Sequence, residues 1–107
     1  MAEHGLTEKT MVRIHEILSR YPAVNRAVLF GSRAKGNFKP GSDIDLALIG
    51  SLIEWNTLIC IRMAFDDSEL PYQFSLIVLN EHTDPDVAAH IKRVGIPLYE
   101  RTVATAG

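Results

Sequence analysis

Two aspartates separated by one residue, Asp43 and Asp45, stand ten residues beyond the pair Gly31-Ser32 in this 107-residue chain. On a β-strand, side chains two residues apart point to the same side, with their Cα atoms roughly 7 Å apart. Two carboxylates held that close repel each other unless positive charge lies between them. A hard divalent cation suits the position, because magnesium takes one or two carboxylates and fills its remaining sites with substrate phosphate oxygens. A Gly31-Ser32 turn that leaves a strand and opens a short helix offers backbone N–H groups and a hydroxyl to an anion. A phosphate site beside a metal site is what phosphoryl or nucleotidyl transfer requires. Neither half is specific alone, since acidic pairs are common on loops and strand edges. The joint pattern, with a strand before the turn and another under the acids, carries the signal. Gly31 and Gly36 have the spacing of an ATPase phosphate loop, but Asn37 stands where that loop needs lysine.

The elements that must position these residues can be read from spacing. Thr7 to Ser19 form a first helix, with Leu6, Met11, Ile14 and Leu18 on one face and Thr7 as N-cap. Ala27 to Phe30 form a β-prone run after Pro22, and residues 31–36 a turn with a helix-compatible middle. A polar loop, 37–42, leads into a strand from Asp43 to Ile49. Ile44, Leu46 and Leu48 share one face of that strand, and Asp43, Asp45, Ala47 and Ile49 the other. Ser51 to Glu54 read as a capping box for a helix running to about Phe65, buried through Leu52, Trp55, Ile59 and Met63. Tyr72 to Leu79 form a third strand. Thr83 caps a last helix from near Pro85 to Gly95, and Ile96 to Tyr99 form a final strand before a tail over 101–107. The order alternates helix and strand throughout, so the fold expected is an α/β domain on a small sheet, with residues 1–107 as one domain.

Composition sets the outer bounds. The chain is 47% hydrophobic and 22% charged, with a net charge of −2. That charge supplies no global positive field for a nucleic-acid backbone. No apolar run approaches the ~20 residues of a membrane span, and the first residues lack a basic-then-apolar signal layout. The expectation is a cytoplasmic protein with neither a membrane nor a nucleic-acid partner. Cys60, the one cysteine, is expected as a buried thiol. His15, His82 and His90 are too scattered to form a ligand set, and Tyr72 and Tyr99 are expected to pack in the strands.

The stretch Leu29-Phe30-Gly31-Ser32-Arg33-Ala34-Lys35-Gly36, followed by Gly41-Ser42-Asp43-Ile44-Asp45-Leu46, resembles the signature of the minimal nucleotidyltransferases. These belong to the DNA polymerase beta-like superfamily, and the resemblance covers nearly the whole chain. It implies a nucleotidyltransferase fold, a small mixed sheet flanked by helices. It implies that Gly31 and Ser32, with Arg33 and Ser42, hold ATP or another nucleoside triphosphate. Asp43 and Asp45 would be the catalytic carboxylates and the ligands of two magnesium ions. The implied reaction moves a nucleoside monophosphate to an acceptor hydroxyl and releases pyrophosphate. Members commonly act as antitoxins beside a helical HEPN-type toxin, whose tyrosine they adenylylate. The resemblance therefore implies such a partner, with a homodimer as a further option.

One position departs from that pattern. The family supplies a third carboxylate from the strand after the long helix, and the aligned residue here is Ser75. Serine neither acts as a base at neutral pH nor ligates magnesium well. Two acids would still bind a magnesium nucleotide, while transfer would lose general-base assistance worth ~10²–10⁴-fold. The alternative function is a catalytically impaired module that neutralises its partner by binding.

Overall fold

A computed structural model describes residues 5–36, 39 and 43–101. Ser42, most of the 37–42 loop, the first four residues and the tail from 102 lie outside the described residues. Helices and strands alternate as α1 (Glu8–Ser19), β1 (Arg26–Phe30), α2 (Gly31–Lys35), β2 (Ile44–Ile49), α3 (Trp55–Asp66), β3 (Phe74–Val78), α4 (Pro85–Val94) and β4 (Ile96–Glu100). The strands form one sheet in the order β3-β2-β1-β4. β1 runs antiparallel to both β2 and β4, while β2 and β3 are parallel. The sheet is therefore mixed. The parallel pair is joined through α3, since parallel strands need a crossover connection.

Local chemistry explains most of the boundaries. The Thr10 amide donates to Thr7 Oγ1 at 3.2 Å, so Thr7 caps α1 as the sequence suggests. The cap of α4 moves by one residue: Asp84, not Thr83, accepts from the Asp86 amide at 2.8 Å. Pro85 occupies the first turn and holds the residue before it out of the helical region, which makes Asp84 the cap. Thr83 instead accepts from the Asn80 amide in the preceding turn. The expected capping box at Ser51–Glu54 does not form, because α3 begins one turn later, with Glu54 as an N-cap that makes no side-chain bond.

Each face of the sheet has its own core. Ile44, Leu46 and Leu48 of β2 pack with Leu29 of β1, with Ile14, Ile17 and Leu18 of α1, and with Ile61 and Phe65 of α3. On the opposite face, Val28 and Ala47 pack against Ile91 of α4, with Phe30, Ile49 and Ile77 around them. The alternation along β2 thus separates an α1/α3 layer from an α4 layer, as its period of two requires. The side of α3 that is buried differs from the expectation. Leu52, Trp55 and Met63 are 73%, 72% and 58% exposed, and Ile59 is exposed as well. Cys60 is also exposed rather than buried. Leu58 and Ala64 pack with Ile61 and Phe65 on the covered side.

Candidate active site

Strand register gathers the candidate residues at one end of the sheet. Phe30 pairs with Asp45, and Asp45 pairs with Ser75, so the three lie in one row across β1, β2 and β3. Partnered residues in adjacent strands share a face, so Asp45 and Ser75 lie side by side on the α4 side. Asp43, exposed, lies just ahead of β2, near enough to act on the charge of Asp45. Ser75, which the family resemblance aligns with a third carboxylate, is thus the β3 neighbour of Asp45.

Gly31 lies over Asp45 and is required there for two reasons. Its φ is +76°, a left-handed conformation that costs any L-residue with a side chain. A Cβ at Gly31 would also fall 2.1 Å from Asp45 Oδ2 and 3.0 Å from its Cγ. The absent side chain is therefore the space that the Asp45 carboxylate occupies. The chain then enters α2, where Ser32 is half-buried, and leaves it through Gly36, at φ +83°. Phe30 precedes α2 as an N-cap with no side-chain bond to the first turn.

The electrostatics follow from this crowding. Burial lifts the Asp45 carboxyl above its ordinary value, and the negative charge of Asp43 raises it further. His90 opposes both effects. It projects from α4, with its ring 6.3 Å from that of Phe30 in an edge-on arrangement. Sequence spacing gave no sign of His90, because it lies 45 residues from Asp45 and reaches it only through the packing of α4 on the sheet. Two neighbouring carboxylates, one of them with its pKa raised by burial and by the charge of the other, have donor chemistry that fits a divalent cation completed by phosphate oxygens. Among the described residues, no group of three or more His, Cys, Asp or Glu could hold a metal by itself. The two acids alone make a partial shell.

The other expected residues separate by position. Arg33 is only 2% exposed, and its guanidinium lies 5.0 Å above the Tyr72 ring centre, so it ties α2 to the segment before β3. Lys35 is exposed on the same short helix. Tyr99 packs as expected, buried and edge-on to His15. Further along the α4 side of the sheet, a cleft of about 600 Å³ opens where Val28, Ile49, Leu79 and Ile91 meet, rimmed by Arg26, Glu81 and Lys92.

Comparison with known proteins reaches the same fold. A chain of a toxin–antitoxin complex with AMP-PNP superposes with a TM-score of 0.70 at 19% identity, over 86% of this chain and 74% of that one. A chain of the MntA–HepT toxin–antitoxin gives 0.60 at 18% identity, over 89% and 74%. The complex of a tri-AMPylated Shewanella oneidensis HEPN toxin with its MNT antitoxin gives 0.53 at 17%, over 84% and 71%. No curated protein sequence matches the chain. The family described as "Polymerase beta, Nucleotidyltransferase" matches residues 13–103, which include the turn, both aspartates, Ser75 and His90. With that match spanning most of its length, the chain belongs to the polymerase beta nucleotidyltransferase family.

Proposed function

We propose that this protein is a magnesium-dependent nucleotidyltransferase. In this reading it moves AMP from ATP to a hydroxyl on a HEPN-type partner, as the antitoxin of a toxin–antitoxin pair. The observation that carries the reading is the fit of the Asp45 carboxylate into the space left by Gly31, with Asp43 alongside. The turn at Gly31 and Ser32 would hold the β- and γ-phosphates, and Asp43 and Asp45 would hold the magnesium ions. Bound magnesium supplies Lewis-acid stabilisation of the charge that develops on the phosphate oxygens. A nucleotide held there would present its α-phosphate at this end of the sheet, and Arg33 braces the turn through Tyr72. The nucleotide and partner are supported by similar structures that hold AMP-PNP, or an AMPylated HEPN toxin with its MNT antitoxin.

Ser75 favours a second reading. With a hydroxyl beside Asp45 where the family places an acid, the acceptor proton has no strong base. The protein would then bind Mg-ATP and its partner without transferring anything. Incubation with α-labelled ATP, magnesium and a HEPN-type partner separates the two. Label on the partner that vanishes in Asp43→Ala and Asp45→Ala supports the enzyme. Binding without label, with transfer gained in Ser75→Asp, supports the binding module and ends the first reading.

A further inference from the structure

Helix α3 carries two apolar stripes, and only one of them is covered. Leu58, Ile61 and Phe65 pack inward. Trp55, Ile59 and Met63 recur every four residues on the other side, with Leu52 just ahead of the helix, and all are exposed. A surface helix ordinarily carries one apolar stripe toward the core and turns polar residues to solvent, whereas α3 turns a second apolar stripe outward. At these exposures the four side chains offer roughly 400–500 Å² of apolar surface, within the size range of the largest and often functional patch on a protein surface. We propose that this stripe is a homodimer interface, on which α3 of a second copy packs antiparallel about a two-fold axis at Ile59.

Four features favour a second copy as the occupant. The stripe is symmetric about Ile59: Trp55 lies four residues before it and Met63 four after. An antiparallel two-fold therefore sets Ile59 against itself and Trp55 level with Met63 of the partner subunit, a flat ring against an adaptable thioether. Arg62 of α3 comes within one residue of the height of the partner's Trp55, about 1.5 Å along the axis, which places a cation beside an exposed indole. The area also matches. A standard interface takes about 800 Å² from each partner, of which roughly 60% is apolar, and the stripe supplies that share. Finally, α3 covers the sheet face opposite Asp45. A second copy seated there leaves the α4 side free, whereas a protein accepting a group at Asp45 must approach that other side. The inference does not depend on nucleotide chemistry.

Sedimentation equilibrium of the full chain, across roughly 1–200 µM, tests it. Twice the chain mass is expected at the upper end, and one chain mass throughout for Trp55→Glu and for Ile59→Glu. Both substitutions lie on exposed positions, so the far-UV circular dichroism should stay unchanged. Trp55 is the only tryptophan, so emission from the unsubstituted chain should shift to the blue as concentration rises. Ile59→Cys with Cys60→Ser should give a covalent dimer on mild oxidation, because only residues near the two-fold meet their own copies. A single-chain mass at every concentration, or a dimer that survives both glutamates or resists the Ile59→Cys cross-link, overturns the proposal. A magnesium-ATP thermal shift in the monomeric glutamate variants would keep this result separate from the reading of the active site.

Discussion

Gly31 and Gly36 provide a matched pair of perturbations on either side of α2. Both are left-handed, at φ +76° and +83°, so alanine at either position carries the same backbone penalty of about 1–2 kcal/mol. For a domain of this size that corresponds to roughly 4–16 °C in Tm. The surroundings then separate them. A Cβ at Gly36 meets nothing within 4 Å, while one at Gly31 falls 2.1 Å from Asp45 Oδ2. In Gly31→Ala the carboxylate must swing aside by ~1 Å or more to restore ordinary contact, and a displacement of that size can reduce catalysis by about 10²-fold. Thermal unfolding with and without magnesium and ATP, alongside the rate of label transfer, gives the comparison. The expected outcome is that both variants lose stability, while only Gly31→Ala also loses the nucleotide-dependent shift and the transfer. Combining Gly31→Ala with Asp45→Ala should remove the clash, leaving only the backbone cost. If Gly31→Ala binds and transfers as well as Gly36→Ala, the close approach of Gly31 to Asp45 has no functional meaning and the reasoning fails.

Asp45→Asn should stabilise the protein in the absence of metal and nucleotide. The Asp45 carboxyl titrates above its unfolded value, so its ionised form opposes folding. That cost is fully present above the raised folded pKa and fades as pH falls toward the ordinary aspartate range near 3.9. The Tm advantage of Asp45→Asn should therefore be present at neutral pH and shrink on acidification; an advantage constant with pH would contradict the electrostatic account. Ser75→Asp should raise the transfer rate by up to ~10²–10⁴-fold, since it places a base in the row beside Asp45, and single-turnover kinetics would show this. Thr7→Ala should lower stability by about 0.5–2 kcal/mol through loss of the α1 cap, with no change in nucleotide binding, as measured by denaturant unfolding.

The positions where sequence reasoning succeeded have local causes. Along β2 the large apolar residues Ile44, Leu46 and Leu48 recur at every second position, so both the strand and the opposite side, which carries Asp45, were legible before any coordinates. The Thr7 cap of α1 and the glycine-bounded turn were legible for similar reasons. Helix α3 was not, because two of its stripes have helical spacing. Leu58, Ile61 and Phe65 compete with Trp55, Ile59 and Met63, and periodicity cannot say which faces the sheet. Cys60 and the expected capping box were misplaced along with it. Asp84 could have been preferred over Thr83 from the proline that follows it. His90 could not have been found, since its place beside Asp45 is a property of tertiary packing.

The proposed function requires Asp43 and Asp45 to form, beneath the Gly31 turn, a site that takes ATP only with magnesium. Isothermal titration calorimetry of ATP into the protein, with and without magnesium, measures this most directly, together with Asp43→Ala and Asp45→Ala. Binding that requires magnesium in the unsubstituted chain and disappears in both variants is the result expected. Equal affinity with and without magnesium, or affinity unchanged when either carboxylate is removed, would contradict the site described.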